Sequence, residues 1–188
     1  MTEASVTLRR ARGCLAAALL AVLLGFAGCT GIGYFWRQGH VPHGVRAPII
    51  LYAAERNFGF GPGGNETGLI VYRMTDQSAR AVAKGGTAYL IAHSLPTDRD
   101  DRASYIDWRP TPIIRDDRWS TPEPGEPSAV SLSAYLNRYG FEIPVKARVA
   151  AEVDRLMRSP GAYYAYGGGG SLVIVAPRTK RVVLAYAG

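Results

Sequence analysis

Beyond an uncharged N-terminal run, apolar and polar positions follow two periods, and the period names the element. Residues 48–55 (PIILYAAE) and 69–74 (LIVYRM) are apolar and partly β-branched and read as strands, joined by the glycine-rich RNFGFGPGGNETG. Thr75 or Asp76 caps a helix that runs to Lys84, and Gly85 and Gly86 end it. A second short helix, TAYLIAHSL, follows up to Pro96. Residues 97–127 hold DWRPTPII, TPEPGEP and many charges without a long apolar run, so they read as an irregular surface excursion rather than a second domain.

Ser128 caps the next helix, in which Leu132, Tyr135, Leu136 and Tyr139 share one face and Gly140 is the stop. FEIPV is a short extended link. The segment Ala147–Arg158 repeats the helical spacing through Val149, Val153, Leu156 and Met157. The C-terminal runs AYYAYG, SLVIVA and RVVLAYA are separated by four glycines and by PRTK, which predicts a meander of antiparallel strands. The last two runs are apolar on both faces, the mark of central strands covered on either side. Strands and helices are segregated along the chain. The predicted class is therefore α+β: one mostly antiparallel sheet of about five strands, helices packed on it, and a C-terminal three-stranded meander.

Composition supports one globular domain: of 188 residues, 47% are hydrophobic and 20% charged. The expected division is a leader over 1–29, a tether over 30–47 and a single domain over 48–188. The net charge of +7 falls to +5 once Arg9, Arg10, Arg12 and Glu3 of the leader are set aside. What remains alternates in sign, as in TDRDDRAS and IIRDDRWS, with no basic stripe, so nucleic acid is not an expected partner. The two cysteines, Cys14 and Cys29, both lie in the leader. The domain is thus left with no disulfide framework, cysteine zinc site or cysteine nucleophile.

Residues 13–36 carry no charge and follow a basic segment, the pattern of an export signal or a membrane span. The stretch FAGC at 26–29 resembles the lipobox of bacterial envelope lipoproteins, with Ala27 and Gly28 as the small residues and Phe26 departing from the usual leucine. That resemblance implies cleavage before Cys29 and acylation of Cys29, with the domain held at a membrane on the periplasmic side. Two other readings stay open. An uncleaved helix would present a small-residue stripe, Ala17, Ala21, Gly25, Cys29 and Gly33, with Tyr34, Phe35 and Trp36 at the interface. Ordinary cleavage near Ala27 would release a soluble periplasmic protein.

Candidate chemistry in the domain is sparse. GFGPGGNETG lacks a following helix, and Pro62 removes a backbone donor, so it is not a phosphate loop. His40 and His43 form an HxxH pair in the tether, short of the three or four ligands a transition metal needs, and neither a metal nor a cofactor is expected. His93, with Ser94 beside it and Asp98, Asp100 and Asp101 following, is the one candidate general base. Trp108 and Trp119, in the irregular segment, and Tyr164 and Tyr166, beside the four glycines, are candidate anchors for a partner, each weighed against a packing role. The expectation is a membrane-anchored domain of the bacterial cell envelope that binds an envelope protein or peptidoglycan without catalysis. Its alternatives are a small hydrolase using His93 and a single-span protein that oligomerises through its N-terminal helix.

Overall fold

The computed structural model describes residues 33–58, 65–94, 105–116, 118–119, 130–140 and 143–188. Residues 33–38 are helical and belong to a different unit from the folded body, Gly39–Gly188. Among the described residues no helix is long and apolar enough to cross a membrane. Cys29 and the leader before residue 33 lie outside the described residues, as do Ser128 and the glycine-rich loop at 59–64.

Six strands build one antiparallel sheet: β1 (Ile49–Phe58), β2 (Asn65–Arg73), β3 (Ile106–Pro110), β4 (Tyr163–Gly167), β5 (Ser171–Ala176) and β6 (Arg181–Ala187). Their order is β1-β2-β6-β5-β4-β3. With helices α1 (Asp76–His93), α2 (Leu132–Leu136) and α3 (Ala147–Arg158), this is the α+β fold that the pattern predicts, including the meander β4-β5-β6. The additional strand is β3, inside the stretch read as irregular. It is a short edge strand with a register shift between Ile106 and Arg109 and a positive φ of 58° at Asp107, so no alternation marks it.

Strand parity divides the sheet into two faces. Leu69, Val71, Tyr164, Leu172, Ile174, Val183 and Ala185 face one side and pack with Leu132, Tyr135, Leu136, Val153, Leu156 and Met157 of α2 and α3. Ile70, Tyr72, Val173, Val175, Val182 and Leu184 point the other way and are equally buried. On that side Gly86 of α1 approaches Tyr163, and α1 buries Ala79, Val82 and Leu90. Central strands with a layer on either side are what SLVIVA and RVVLAYA imply. Each fully buried aliphatic side chain contributes roughly 1.5–3 kcal/mol, so these strands anchor the fold.

The glycine pair in α1 does not end the helix. Hydrogen bonding continues to His93, but Gly86 sits at φ 58° and ψ −142°, so the element is two helical pieces joined at a kink only glycine accepts easily. Thr75 is the N-cap, its hydroxyl accepting from the Ser78 N–H at 3.3 Å. Helix α2 is shorter than predicted. Ser131 caps it by accepting from Ala134 N–H, and it closes after Leu136, which leaves Tyr139 off the buried face and 58% exposed.

The later part of the stretch read as a tether packs on the domain. Val45 and Ala47 are buried, Thr75 N–H donates to the Arg46 carbonyl at 2.9 Å, and Arg46 N–H donates to Ser78 Oγ at 2.9 Å. The folded body therefore begins at Gly39 rather than at Pro48. Residues 39–47 have no period because they form no element of their own: Arg46 bonds the first turn of α1, and the Gly44 carbonyl accepts from the Tyr89 hydroxyl at 2.9 Å.

Candidate functional site

The turn between β4 and β5 holds four consecutive glycines, and its geometry explains at least the last of them. Gly170 has φ 66°, and a Cβ there would land on the Arg138 guanidinium and the Ala187 carbonyl. The Arg138 side chain lies across this turn. Its Nη2 donates to the carbonyls of Gly170, at 2.9 Å, and of Ala187, and its Nη1 donates to the Arg118 carbonyl at 3.1 Å. Tyr135 adds a bond from its hydroxyl to the Gly170 carbonyl at 3.0 Å. One arginine and one tyrosine from the α2 region thus tie the glycine turn, the end of β6 and Arg118 together.

Aromatic rings fill the space beneath. Trp119 and Tyr135 meet edge to face at 4.9 Å between ring centres, and Trp119 Nε1–H donates to the Tyr166 hydroxyl at 2.8 Å. Tyr164 meets Tyr166 edge to face at 5.8 Å. Two guanidinium groups lie on these rings. Arg118 is 4.6 Å above Tyr166, while Arg138 is 4.6 Å from the Tyr135 ring centre and 4.9 Å from that of Tyr139. Arg118, Trp119, Tyr135, Arg138, Tyr139 and Tyr166 line a cavity of about 370 Å³ whose wall also includes Gly167, Gly170 and Ser171.

The charges in this wall are unequal. Arg118 pairs with Asp116 at 2.8 Å. Among the described residues Arg138 has only carbonyl oxygens and ring faces as partners, and its buried Nε–H has no acceptor. Burial pushes the Tyr135 hydroxyl above the ordinary tyrosine range and the Tyr166 hydroxyl up to about 12. Both therefore remain neutral donors and acceptors at physiological pH. The cavity offers cationic planes, aromatic walls and neutral hydroxyls.

The residues singled out from sequence fall in three places. Tyr164, Tyr166 and Trp119 come together in the cluster, but Trp119 (5% exposed) and Tyr164 (1%) are packed into the core and are not free anchors. Tyr166 is half-buried in the cavity wall. Trp108 lies elsewhere: it too is 5% exposed, its Nε1–H donates to Ser94 Oγ at 2.9 Å, and its ring meets Tyr105 edge to face. As a plug at the end of α1 it is not an exposed partner anchor. His93 is exposed, stacks on Tyr89 at 4.1 Å between ring centres, and its Nδ1 lies 2.7 Å from the Tyr89 carbonyl. A carbonyl only accepts, so Nδ1 carries a proton. The carboxylates Asp98, Asp100 and Asp101 proposed beside it lie outside the described residues.

Sequence reasoning missed Arg118, Arg138 and Tyr139. Arg118 sits in IIRDDRWS and reads as one charge among many, and Tyr139 completes an apparent core stripe. A second, more apolar cavity of about 260 Å³ lies between α2 and the start of α3, lined by Leu132, Leu136, Ile143 and Val145. His93 lines neither cavity. In comparisons with known proteins, no family model, no curated protein and no solved structure matches the chain.

Proposed function

We propose that this chain is a membrane-held domain of the bacterial cell envelope that binds an envelope protein or peptidoglycan, and that the Arg118–Arg138 cavity is its binding site. The observation that carries the second half is two guanidinium planes resting on aromatic rings around an open cavity of about 370 Å³. Its volume falls in the ~300–1,000 Å³ range of small-ligand sites. Arginine and aromatic side chains are also the groups that most often carry binding energy. The first half rests on the uncharged run at 13–36, its basic flank and the lipobox-like FAGC ending at Cys29.

Binding is favoured over hydrolysis by His93 because His93 Nδ1 is engaged by its own helix, and the cavity with two guanidinium planes is built without it. Two experiments test the reading. The intact mass of the mature protein should correspond to a chain that begins at an acylated Cys29; a retained leader would favour the single-span reading instead. Co-sedimentation with purified peptidoglycan, and capture from envelope extracts, should weaken in Tyr139→Ala and Arg118→Gln. If both variants retain binding at wild-type strength, the cavity is not the site.

A further inference from the structure

Resting on the reading of this cavity as a binding site, we propose that its ligand is a small ring compound carrying an oxyanion, a carboxylate or a phosphate ester, met by Arg138. Arg138 lines the cavity, and none of its partners is a carboxylate. Among the described residues its positive charge is therefore met only by carbonyl dipoles and ring faces, with one buried N–H left over. A cation so placed favours a ligand that brings the missing negative charge; with Nη2 committed to two carbonyls and Nε–H buried, Arg138 offers the cavity its charge and the remaining Nη1–H.

The rest of the wall agrees. Arg118 adds a second guanidinium, partly offset by Asp116, and among the described residues no carboxylate lines the cavity itself. The guanidiniums are held in position by Tyr166, Tyr135 and Tyr139, so little side-chain freedom is lost on binding. Tyr139 is 58% exposed and supplies a flat apolar surface at the rim for a ring. The hydroxyls of Tyr135 and Tyr166 stay protonated and so add no negative charge.

The test uses the full chain in detergent micelles and three sugars differing in charge. They are N-acetylmuramic acid (a carboxylate), N-acetylglucosamine 1-phosphate (a phosphate) and neutral N-acetylglucosamine. Calorimetry measures affinity, and NMR of ¹⁵N-glycine reports on Gly167, Gly168, Gly169 and Gly170. At least one anionic sugar should bind about ten-fold or more tighter than the neutral one, as expected for one charged hydrogen-bonded contact. It should shift the Gly167 and Gly170 amides and weaken as salt rises. Whichever anion binds tighter identifies the oxyanion.

Arg138 also clamps the glycine turn, so Arg138→Gln risks the fold. Arg118→Gln and Tyr139→Ala, on partly exposed side chains, provide the second check and should weaken the anion about ten-fold with unchanged glycine spectra in the free protein. Equal binding of neutral and anionic sugars, or shifts confined to other glycines, would overturn the inference. So would failure of both anions. If peptidoglycan or an envelope protein still binds in a Tyr139-dependent manner, the inference about charge fails while the binding reading stands.

Discussion

Trp108, on β3, and Trp119, eleven residues later, are equally buried, at 5% exposure each, yet they close different kinds of space. Trp108 seals a joint. Its N–H is taken by Ser94, whose own hydroxyl donates to the Leu90 carbonyl at 2.6 Å, and Tyr105 beside it donates to the His40 carbonyl at 2.9 Å. These groups connect α1, β3 and the 39–47 stretch. Trp119 forms the inner wall of a cavity. Its N–H goes to Tyr166, and the space beyond is bounded by Arg118 and Arg138. Burial alone does not separate a plug from a cavity wall; what lies on the far side of the ring does.

Truncating each tryptophan would break or sharpen this contrast most strongly. Trp108→Ala should cost about 3–5 kcal/mol, because it empties a closed apolar space. Trp119→Ala should cost less, about 2–3 kcal/mol, because the new void opens into an existing polar cavity that water can enter. Urea denaturation of both variants is the measurement, and equal losses would mean that Trp119 is also only a plug. Gly170→Ala comes next, at about 2–4 kcal/mol, since it combines a positive φ with overlap on Arg138 and Ala187. Gly168→Ala, where a Cβ meets nothing within 4 Å, is the control and should be nearly neutral.

Replacing one hydrogen-bonding atom separates the two sites more finely. Trp108→Phe removes a buried bond and should cost about 1 kcal/mol, with binding unaffected. Tyr166→Phe removes the acceptor of Trp119 and should cost a similar ~1 kcal/mol at neutral pH. It should also change the alkaline limb of the stability curve. Burial raises the Tyr166 pKa from 10.0 to about 12, so the folded state holds this proton more tightly than the unfolded state. That contribution is complete below pH 10 and is lost as pH rises through about 12, and Tyr166→Phe should flatten the decline. Thermal unfolding between pH 9 and pH 12 checks it, and a slope equal to wild type would contradict it. The smallest stability effect belongs to Asp116→Asn. The Arg118 pair is partly exposed and worth about 0–1 kcal/mol, so urea denaturation of the variant should show almost no change.

Legibility followed range along the chain. The runs behind β2, β5 and β6 were visible because consecutive apolar, β-branched residues determine a strand locally, and the spacing of Val153, Leu156 and Met157 did the same for α3. Gly85 and Gly86 signalled a break that the structure keeps as a kink at Gly86. The edge strand β3 was hidden by Asp107 at positive φ and by Pro110, residues that read as punctuation. The four glycines announced an unusual turn without saying what approached it. Arg138, the group that does approach, was one arginine among many until α2 placed it over Gly170.

The sequence alone determined the α+β class, the meander, and two central strands buried on both faces. These depend on side-chain period and backbone sterics within a few residues. Only the tertiary structure decided the order β1-β2-β6-β5-β4-β3, the docking of residues 39–47, and which tryptophan seals and which lines a cavity. Those outcomes rest on pairs far apart in the chain: Trp119 with Tyr166 across 47 positions, and Arg138 with Ala187 across 49. No local period encodes such pairs. They form because burying the rings requires the indole N–H and the tyrosine hydroxyls to find partners wherever the sheet brings them.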